Sequence, residues 1–267
     1  MAMAVVHGID ALDRSLGRLF FVVGVFDGLH LGHAYLLEQL ALGARAHEAR
    51  PAVITFDHHP DEVLTGHAPP LLCDPDERLE RLEAGGVAVT VVQTFDVALR
   101  ETPFDVFVRR IAGRVELAGF LMTPDSAFGF ERGGTPETVG ALGVELGYDV
   151  VVVPPFTLDG APISSSKIRS AIAAGDLAAA AALLGRPYGV TGVAVEAGEG
   201  QAALSFPMPV TLPPSGSYRI RVSRGDEAGR PTTHERGVVD DAGRLHLPMS
   251  GPAGESLRVA FELPTRS

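Results

Sequence analysis

Short continuous apolar runs alternate with stretches of helical period through the first two-thirds of the chain. Leu19 to Val23 is the clearest run: five apolar residues ended by Gly24, as expected of a central parallel strand covered on both faces. Beyond a glycine-rich turn, Ala34, Leu37, Leu40, Ala41 and Ala44 recur at helical spacing and predict a helix starting close to His33. Ala52 to Phe56, Val87 to Val92, Phe120 to Thr123 and Val150 to Val153 predict further strands. Between them, Asp74-Pro75-Asp76 opens a helix that Gly85 and Gly86 stop. A second helix carries Phe104, Phe107, Val108 and Ile111 on one side, and a third runs from Pro136 to Gly147. This alternation predicts an α/β fold built on a doubly wound parallel sheet.

The pattern changes after a short alanine-rich helix that Asp176 caps and Gly185 ends, with Pro187 beyond it. From Tyr188 onward, YGVTGVAVE, SYRIRVS, GRLHLPM and SLRVAFELP alternate in period two between turn residues, and predict a small antiparallel β-barrel. The polar run Gly225, Asp226, Glu227, Ala228 and Gly229 reads as a turn between strands. The boundary is expected near Arg186, dividing the chain into residues 1–186 and 187–267.

A net charge of −11 and a pI near 5.2 argue against nucleic acid or an acidic membrane as the main partner, while leaving room for a local basic pocket. Cys73 is the single cysteine and no CxxC or Cys/His cluster offers a zinc site, so a reducing cytoplasm is the expected location. The N-terminus lacks a basic region ahead of an apolar one, and no stretch approaches the roughly 20 apolar residues that span a bilayer.

Against that background the candidate chemistry lies in four places. His30 and His33 bracket Gly32 in H-L-G-H, where a strand feeds a helix through a tight turn. Unpaired N–H groups and the positive end of the helix dipole suit bound phosphate there, and two imidazoles add donors. The chemistry this favours is phosphoryl or nucleotidyl transfer, which asks a protein for positioning and for charge opposing that growing on phosphorus and its leaving group. Asp57-His58-His59-Pro60 ends the next strand, at the edge where α/β sheets bind ligands. The glycine-rich loop with Asp125, Phe128, Phe130 and Arg132 is suited to cover a flat ring. Finally, Pro162-Ile163-Ser164-Ser165-Ser166-Lys167-Ile168-Arg169 runs into a helix. Serines there are ordinary caps, but Lys167 and Arg169 in the first turn oppose the dipole, a conflict that an anionic ligand resolves.

G-V-F-D-G-L-H-L-G-H, T-F-D-H-H-P, P-D-S-A-F-G and I-S-S-S-K-I-R, in that order, resemble the prokaryotic bifunctional riboflavin kinase/FAD synthetase family. Its N-terminal module is a Rossmann-like FMN adenylyltransferase of the HxGH nucleotidyltransferase superfamily. The resemblance implies that a phosphoryl oxygen of FMN attacks the α-phosphorus of ATP, with Mg²⁺ bridging phosphates and pyrophosphate leaving. It implies that His30, His33 and Arg169 are catalytic, and that Gly24, Phe26, Asp27, Gly28, Ser164, Ser165 and Ser166 bind the nucleotide. Phe56, Pro60, Asp125 and Phe128 fall where the family places its flavin, and no residue is assigned to the metal.

The chain departs from the family at three points. It has His58 where the family's second motif usually has proline. In the flavin loop it reads Asp125-Ser126-Ala127-Phe128-Gly129 where D/N-F-x-F-G is usual. The kinase barrel's G-F-P-T-A-N gives way to Ser205-Phe206-Pro207-Met208-Pro209, without the threonine and asparagine that serve Mg-ATP. Glu235 is a poor counterpart of the kinase's catalytic glutamate, in a charged turn. The expectation is an adenylyltransferase whose barrel persists without kinase activity, as a packing partner or dimer surface. A different phosphate acceptor, CTP as donor, and a non-catalytic flavin-binding protein stay open at this point.

Overall fold

The structure is a computed structural model describing residues 2–198, 201–224, 232–248 and 253–263. The turn expected at Gly225 to Gly229 lies outside the described residues.

By compactness the chain forms two units, one of residues 1–69 and 79–162, the other of residues 70–78 and 163–267. In the first, β1 (Ala4–His7), β2 (Arg18–Val23), β3 (Arg50–Phe56), β4 (Val89–Gln93), β5 (Glu116–Met122) and β6 (Asp149–Val152) make one sheet. All its pairings are parallel, in the order β1-β4-β3-β2-β5-β6. The chain moves outward from β2 through β3 to β4, then returns to place β5 on the other side of β2. The crevice above β2 and β5 is therefore the switch point where ligands bind in such sheets.

The helices of this unit are α1 (Leu31–Ala46), α2 (Pro60–Thr65), α4 (Val97–Arg100), α5 (Phe104–Ala112) and α6 (Pro136–Leu146). Helix α3 (Pro75–Ala84) runs across the division between the units. The central strands earn their position by burial: Leu19, Phe20, Phe21, Ala52, Val53 and Ile54 are wholly inaccessible. From α5, Phe107, Val108 and Ile111 are buried as the spacing predicts, and join one core with Phe120, Val139 and Tyr148. In α1 the apolar stripe is narrower than predicted, because Leu37, Leu40 and Ala44 are buried whereas Ala34 and Ala41 face solvent.

The second unit contains α7 (Ser165–Ala173), α8 (Leu177–Leu184) and a closed barrel of β9 (Gly189–Glu196), β10 (Gln201–Ser205), β11 (Gly216–Arg224), β12 (Thr233–Val239), β13 (Leu245–Pro248) and β14 (Ser256–Phe261). The first unit also holds the small hairpin β7 (Thr157–Leu158) and β8 (Ala161–Pro162). The barrel order is β10-β13-β12-β11-β14-β9, every pairing antiparallel. Closure removes free strand edges, which six short strands would otherwise expose.

Four expectations shift. Helix α1 starts at Leu31 with His30 as its N-cap, rather than near His33. The strands β1, β10 and β12 and the β7–β8 hairpin are additions; β1 is a four-residue edge strand alternating between half-buried and exposed, too short for a periodic signal. Glu235 sits on β12, paired with Ile220, not in a turn. The change of sequence pattern at Arg186 does not coincide with the packing division. Ile168, Ile172, Leu177, Ala180 and Leu184 share one core with the barrel residues Val190, Ile220 and Phe261, so α7 and α8 group with the barrel by contact.

Candidate functional site

The loop after β2 is held from below. Gly24 N–H donates to the Ile54 carbonyl at 3.0 Å, and Thr55 Oγ1 donates to the Val25 carbonyl at 3.0 Å. The chain then takes left-handed backbone at Phe26 (φ 54°), Gly28 (φ 77°) and Leu29 (φ 35°). For a phenylalanine this costs about 1–2 kcal/mol. Burial of the Phe26 ring, 1% exposed, outweighs it, since a buried phenylalanine gains about 1.5–3 kcal/mol. The ring lies 5.0 Å from that of His33, and Asp27, 2% exposed, is buried beside it in sequence.

His30 is itself 5% exposed and caps α1: its Nδ1 accepts from His33 N–H at 3.2 Å. That bond places the lone pair on Nδ1, so a neutral His30 carries its proton on Nε2 and presents a donor. The two imidazoles are stacked, with ring centroids 3.7 Å apart and planes 13° apart. His33 Nδ1 is buried, with no hydrogen-bond partner for it among the described residues. Loss of solvent, and then the charge of His30, hold His33 well below the usual imidazole range, so it is neutral in the free protein.

This has a consequence for stability. The unfolded chain binds a proton at His33 as pH falls through about 6.5. The folded chain does not until much lower pH, so folded-state stability decreases as pH falls below about 6.5. Urea titrations of wild type and His33→Gln at pH 8 and pH 5.5 are expected to show a larger acid loss in wild type. Equal losses would contradict it.

Beyond Gly24 lies a cavity of about 790 Å³, within the size range of small-ligand sites. The ends of four adjacent strands line it: Val23 to Val25 after β2, Phe56 and Pro60 after β3, Phe95 after β4, and Met122 with Thr123 after β5. The loop from Asp125 to Arg132 completes the wall. All four residues expected to hold a flavin, Phe56, Pro60, Asp125 and Phe128, are therefore brought together. Phe128 packs on Phe107 at 5.8 Å and Phe120 at 5.9 Å, so this part of the wall is continuous with the core of the unit. Gly129 (φ 77°) allows this, since a Cβ there meets the Phe104 backbone at 2.7 Å. Glu131 (φ 51°) and Arg132 (φ 58°) follow in left-handed backbone, a local strain of the kind found at ligand sites.

Ser126, where an aromatic was expected, has a local reason. Its Oγ accepts from Thr123 N–H at 3.0 Å and lies 2.8 Å from Thr123 Oγ1, closing the turn at the end of β5. His59 caps α2 through Nδ1, accepting from Asp61 N–H at 3.2 Å, and lines the cavity; His58 is exposed and pairs with Glu62 at 3.3 Å.

Sequence reasoning missed Phe95, Leu99, Arg100 and Thr102, which also line the cavity. The signal was present. Thr55-Phe56-Asp57 and Thr94-Phe95-Asp96 repeat one tripeptide at the ends of adjacent strands.

Ser164, Ser165, Ser166 and Arg169 belong to the second unit. Ser164 Oγ accepts from Lys167 N–H at 3.3 Å, so this serine is the cap of α7. Ser165 is half-buried, Ser166 is exposed, and Arg169 Nε donates to the Pro70 carbonyl at 2.8 Å. No group of three or more His, Cys, Asp or Glu among the described residues is arranged to hold a metal ion. No helix among them is long and apolar enough to cross a membrane.

A family of proteins described as FAD synthetase matches residues 13–167, more than half of the chain and the whole of the loop, cavity and Ser164 cap just described. The chain belongs to the FAD synthetase family. As a member it is an enzyme of the nucleotidyltransferase class. Among its relatives is the bifunctional riboflavin kinase/FMN adenylyltransferase of Haemophilus influenzae, 31% identical over 207 residues, covering 77% of this chain and 67% of that protein. The protein of the same description from Escherichia coli K12 is 29% identical over 229 residues, covering 82% and 73%. A crystal structure of a macrolide-efflux protein from Streptococcus pneumoniae superposes with a TM-score of 0.80 at 23% identity, over 97% of this chain and 89% of that one. At that identity the likeness shows a shared fold alone. The FAD synthetase match ends at Ile163-Ser164-Ser165-Ser166-Lys167, so the barrel lies outside it.

Proposed function

We propose that the protein transfers AMP from ATP to FMN, giving FAD and pyrophosphate. The observation that carries this reading is the stacked pair His30 and His33 at a helix start, on the loop whose first residues, Gly24 and Val25, line an aromatic-walled cavity above the switch point of the sheet. A phosphate oxygen of FMN attacks the α-phosphorus of ATP, forming one P–O bond as the bond to pyrophosphate breaks. His30 donates from Nε2 to the triphosphate. His33 is half-buried, with its Nδ1 out of solvent, and is neutral in the free protein, so an arriving polyanion makes protonation of its ring favourable, and the ring then opposes charge on the departing pyrophosphate. Arg169, Ser165 and Ser166 hold the β and γ phosphates, with Ser164 capping their helix. Gly24, Phe26, Asp27 and Gly28 shape the nucleotide pocket, and Phe56, Pro60, Asp125 and Phe128 hold the flavin ring.

Mg²⁺ would be bound with the triphosphate in this reading, held chiefly by phosphate oxygens and water. When bound there, it offsets phosphate charge.

In this reading residues 1–186 are the adenylyltransferase module and residues 187–267 a kinase-like barrel that has lost its activity. A second reading keeps the transfer but changes the substrate, to another phosphate acceptor or to CTP. It is favoured by the small side chains Ser126 and Ala127 in the cavity wall.

Incubating the protein with Mg²⁺, either ATP or CTP, and a panel of flavin phosphates, then weighing the dinucleotide product, separates the readings. FAD from ATP and FMN is the expected product. A different dinucleotide replaces the first reading with the second; no product, with FMN still quenched on binding, leaves a flavin-binding protein.

A further inference from the structure

The Thr-Phe-Asp repeat at the ends of β3 and β4 is not two copies of one role. Asp96 caps α4, its Oδ1 accepting from Leu99 N–H at 2.8 Å. Asp57 instead reaches across to the neighbouring strand end. Its Oδ2 accepts from Thr94 Oγ1 at 2.7 Å, and its Oδ1 accepts from Phe95 N–H at 3.2 Å as well as from His58 N–H at 2.7 Å. Its own N–H donates to the Gln93 carbonyl at 3.2 Å. The last registered pair between these strands is Phe56 with Gln93, so the regular ladder stops where the carboxylate takes over.

The fixed backbone delivers a side-chain geometry. Phe95 meets Phe56 edge to face, with centroids 5.3 Å apart and planes at 87°, and both rings line the cavity. An edge-to-face pair leaves the face of one ring open beside the edge of the other, a corner into which a flat aromatic ligand fits. Without a tie at Thr94 and Phe95, this corner would depend on a short loop that leads into a helix of only four residues.

We infer that Phe95 is a wall of the acceptor-ring site and that Asp57 is its positioning residue, fixing the ring through the backbone of residues 94 and 95. This rests on the reading of the cavity as the flavin site, and specifies which side chains outside the family-derived set grip the ring. The corner is built from Phe56, Asp57, Thr94 and Phe95 and includes none of the residues assigned to the phosphates, so the expected signature is selective for the flavin.

Steady-state kinetics and flavin fluorescence quenching on the full chain test it. Phe95→Ala and Asp57→Ala are each expected to raise KM and Kd for FMN by about tenfold, the scale of one lost aromatic contact. kcat and KM for ATP should move less than about twofold. Asp57→Asn keeps an Oδ1 acceptor and is expected to recover most of the affinity. In the double variant Asp57→Ala/Phe95→Ala, the effect should be close to that of Phe95→Ala alone, because Asp57 acts through the ring.

Additive losses in the double variant, or a fall in kcat and a rise in KM for ATP in step with the loss of FMN affinity, would reduce Asp57 to general structure and overturn the inference. Wild-type FMN affinity in Phe95→Ala also overturns it. Failure of the wild-type protein to quench FMN at all would instead sink the reading of the cavity itself, so the two failures are distinguishable.

Discussion

Replacing His30 or His33 by alanine is expected to lower FAD formation by about 10²-fold or more, the size seen when one preorganised donor to a developing anion is removed. The two positions need different controls. His30 is both donor and N-cap, so His30→Ala also leaves His33 N–H without its partner, at about 1 kcal/mol for a lost cap. His30→Asn restores a cap and removes the imidazole. It is expected to keep the melting temperature near wild type and still lose the turnover. His33→Ala opens space between the rings of Phe26 and His30, so His33→Gln is the gentler test. The double variant should cost little more than either single one, since stacked groups acting on one leaving group behave as a unit. Near-normal turnover in the double variant would remove the mechanism.

Riboflavin with Mg-ATP is expected to yield no FMN from a preparation that adenylates FMN. The reason lies in how the segment after β10 spends its polar groups. The Pro209 carbonyl accepts from Leu71 N–H at 2.8 Å, and Thr211 N–H donates to the Leu71 carbonyl at 2.9 Å, a short parallel bridge within the second unit. Thr211 Oγ1 donates to the Pro70 carbonyl, and the Thr211 carbonyl accepts from Tyr188 OH at 2.5 Å. With these backbone groups engaged, a cation-bound nucleotide would have to be served by side chains. Met208 is half-buried and carries only a thioether, and Pro209 has no donor at all. Chromatography of the reaction mixture checks this, and FMN formed at a rate comparable to adenylation would overturn it.

Part of the site was open to reading because its chemistry is written in contiguous residues. A strand, a glycine turn and a helix start are local, so H-L-G-H is legible as a candidate phosphate end, and the aromatic and glycine content of the loop after β5 as a candidate cover for a ring. The wall at Phe95 was not announced in the same way. Its neighbours in sequence, Thr94 and Asp96, are ordinary loop residues, and its meaning comes from Asp57, 38 residues away. Ser126 shows another limit: a departure from an expected aromatic is visible in sequence, but the turn it closes with Thr123 is not.

The sequence by itself determined the alternation of buried strands and helices, the change to a period of two after Tyr188, and the identity of the histidine and serine motifs. Each of these depends on periods or turns of a few residues, where local sterics and burial decide. Only the tertiary structure decided that the strand order reverses between β4 and β5, gathering four strand ends around one cavity, and that two imidazoles stack at 3.7 Å with His33 Nδ1 shut off from solvent. Register between strands and desolvation arise from residues distant in the chain meeting in space, and no local pattern encodes them.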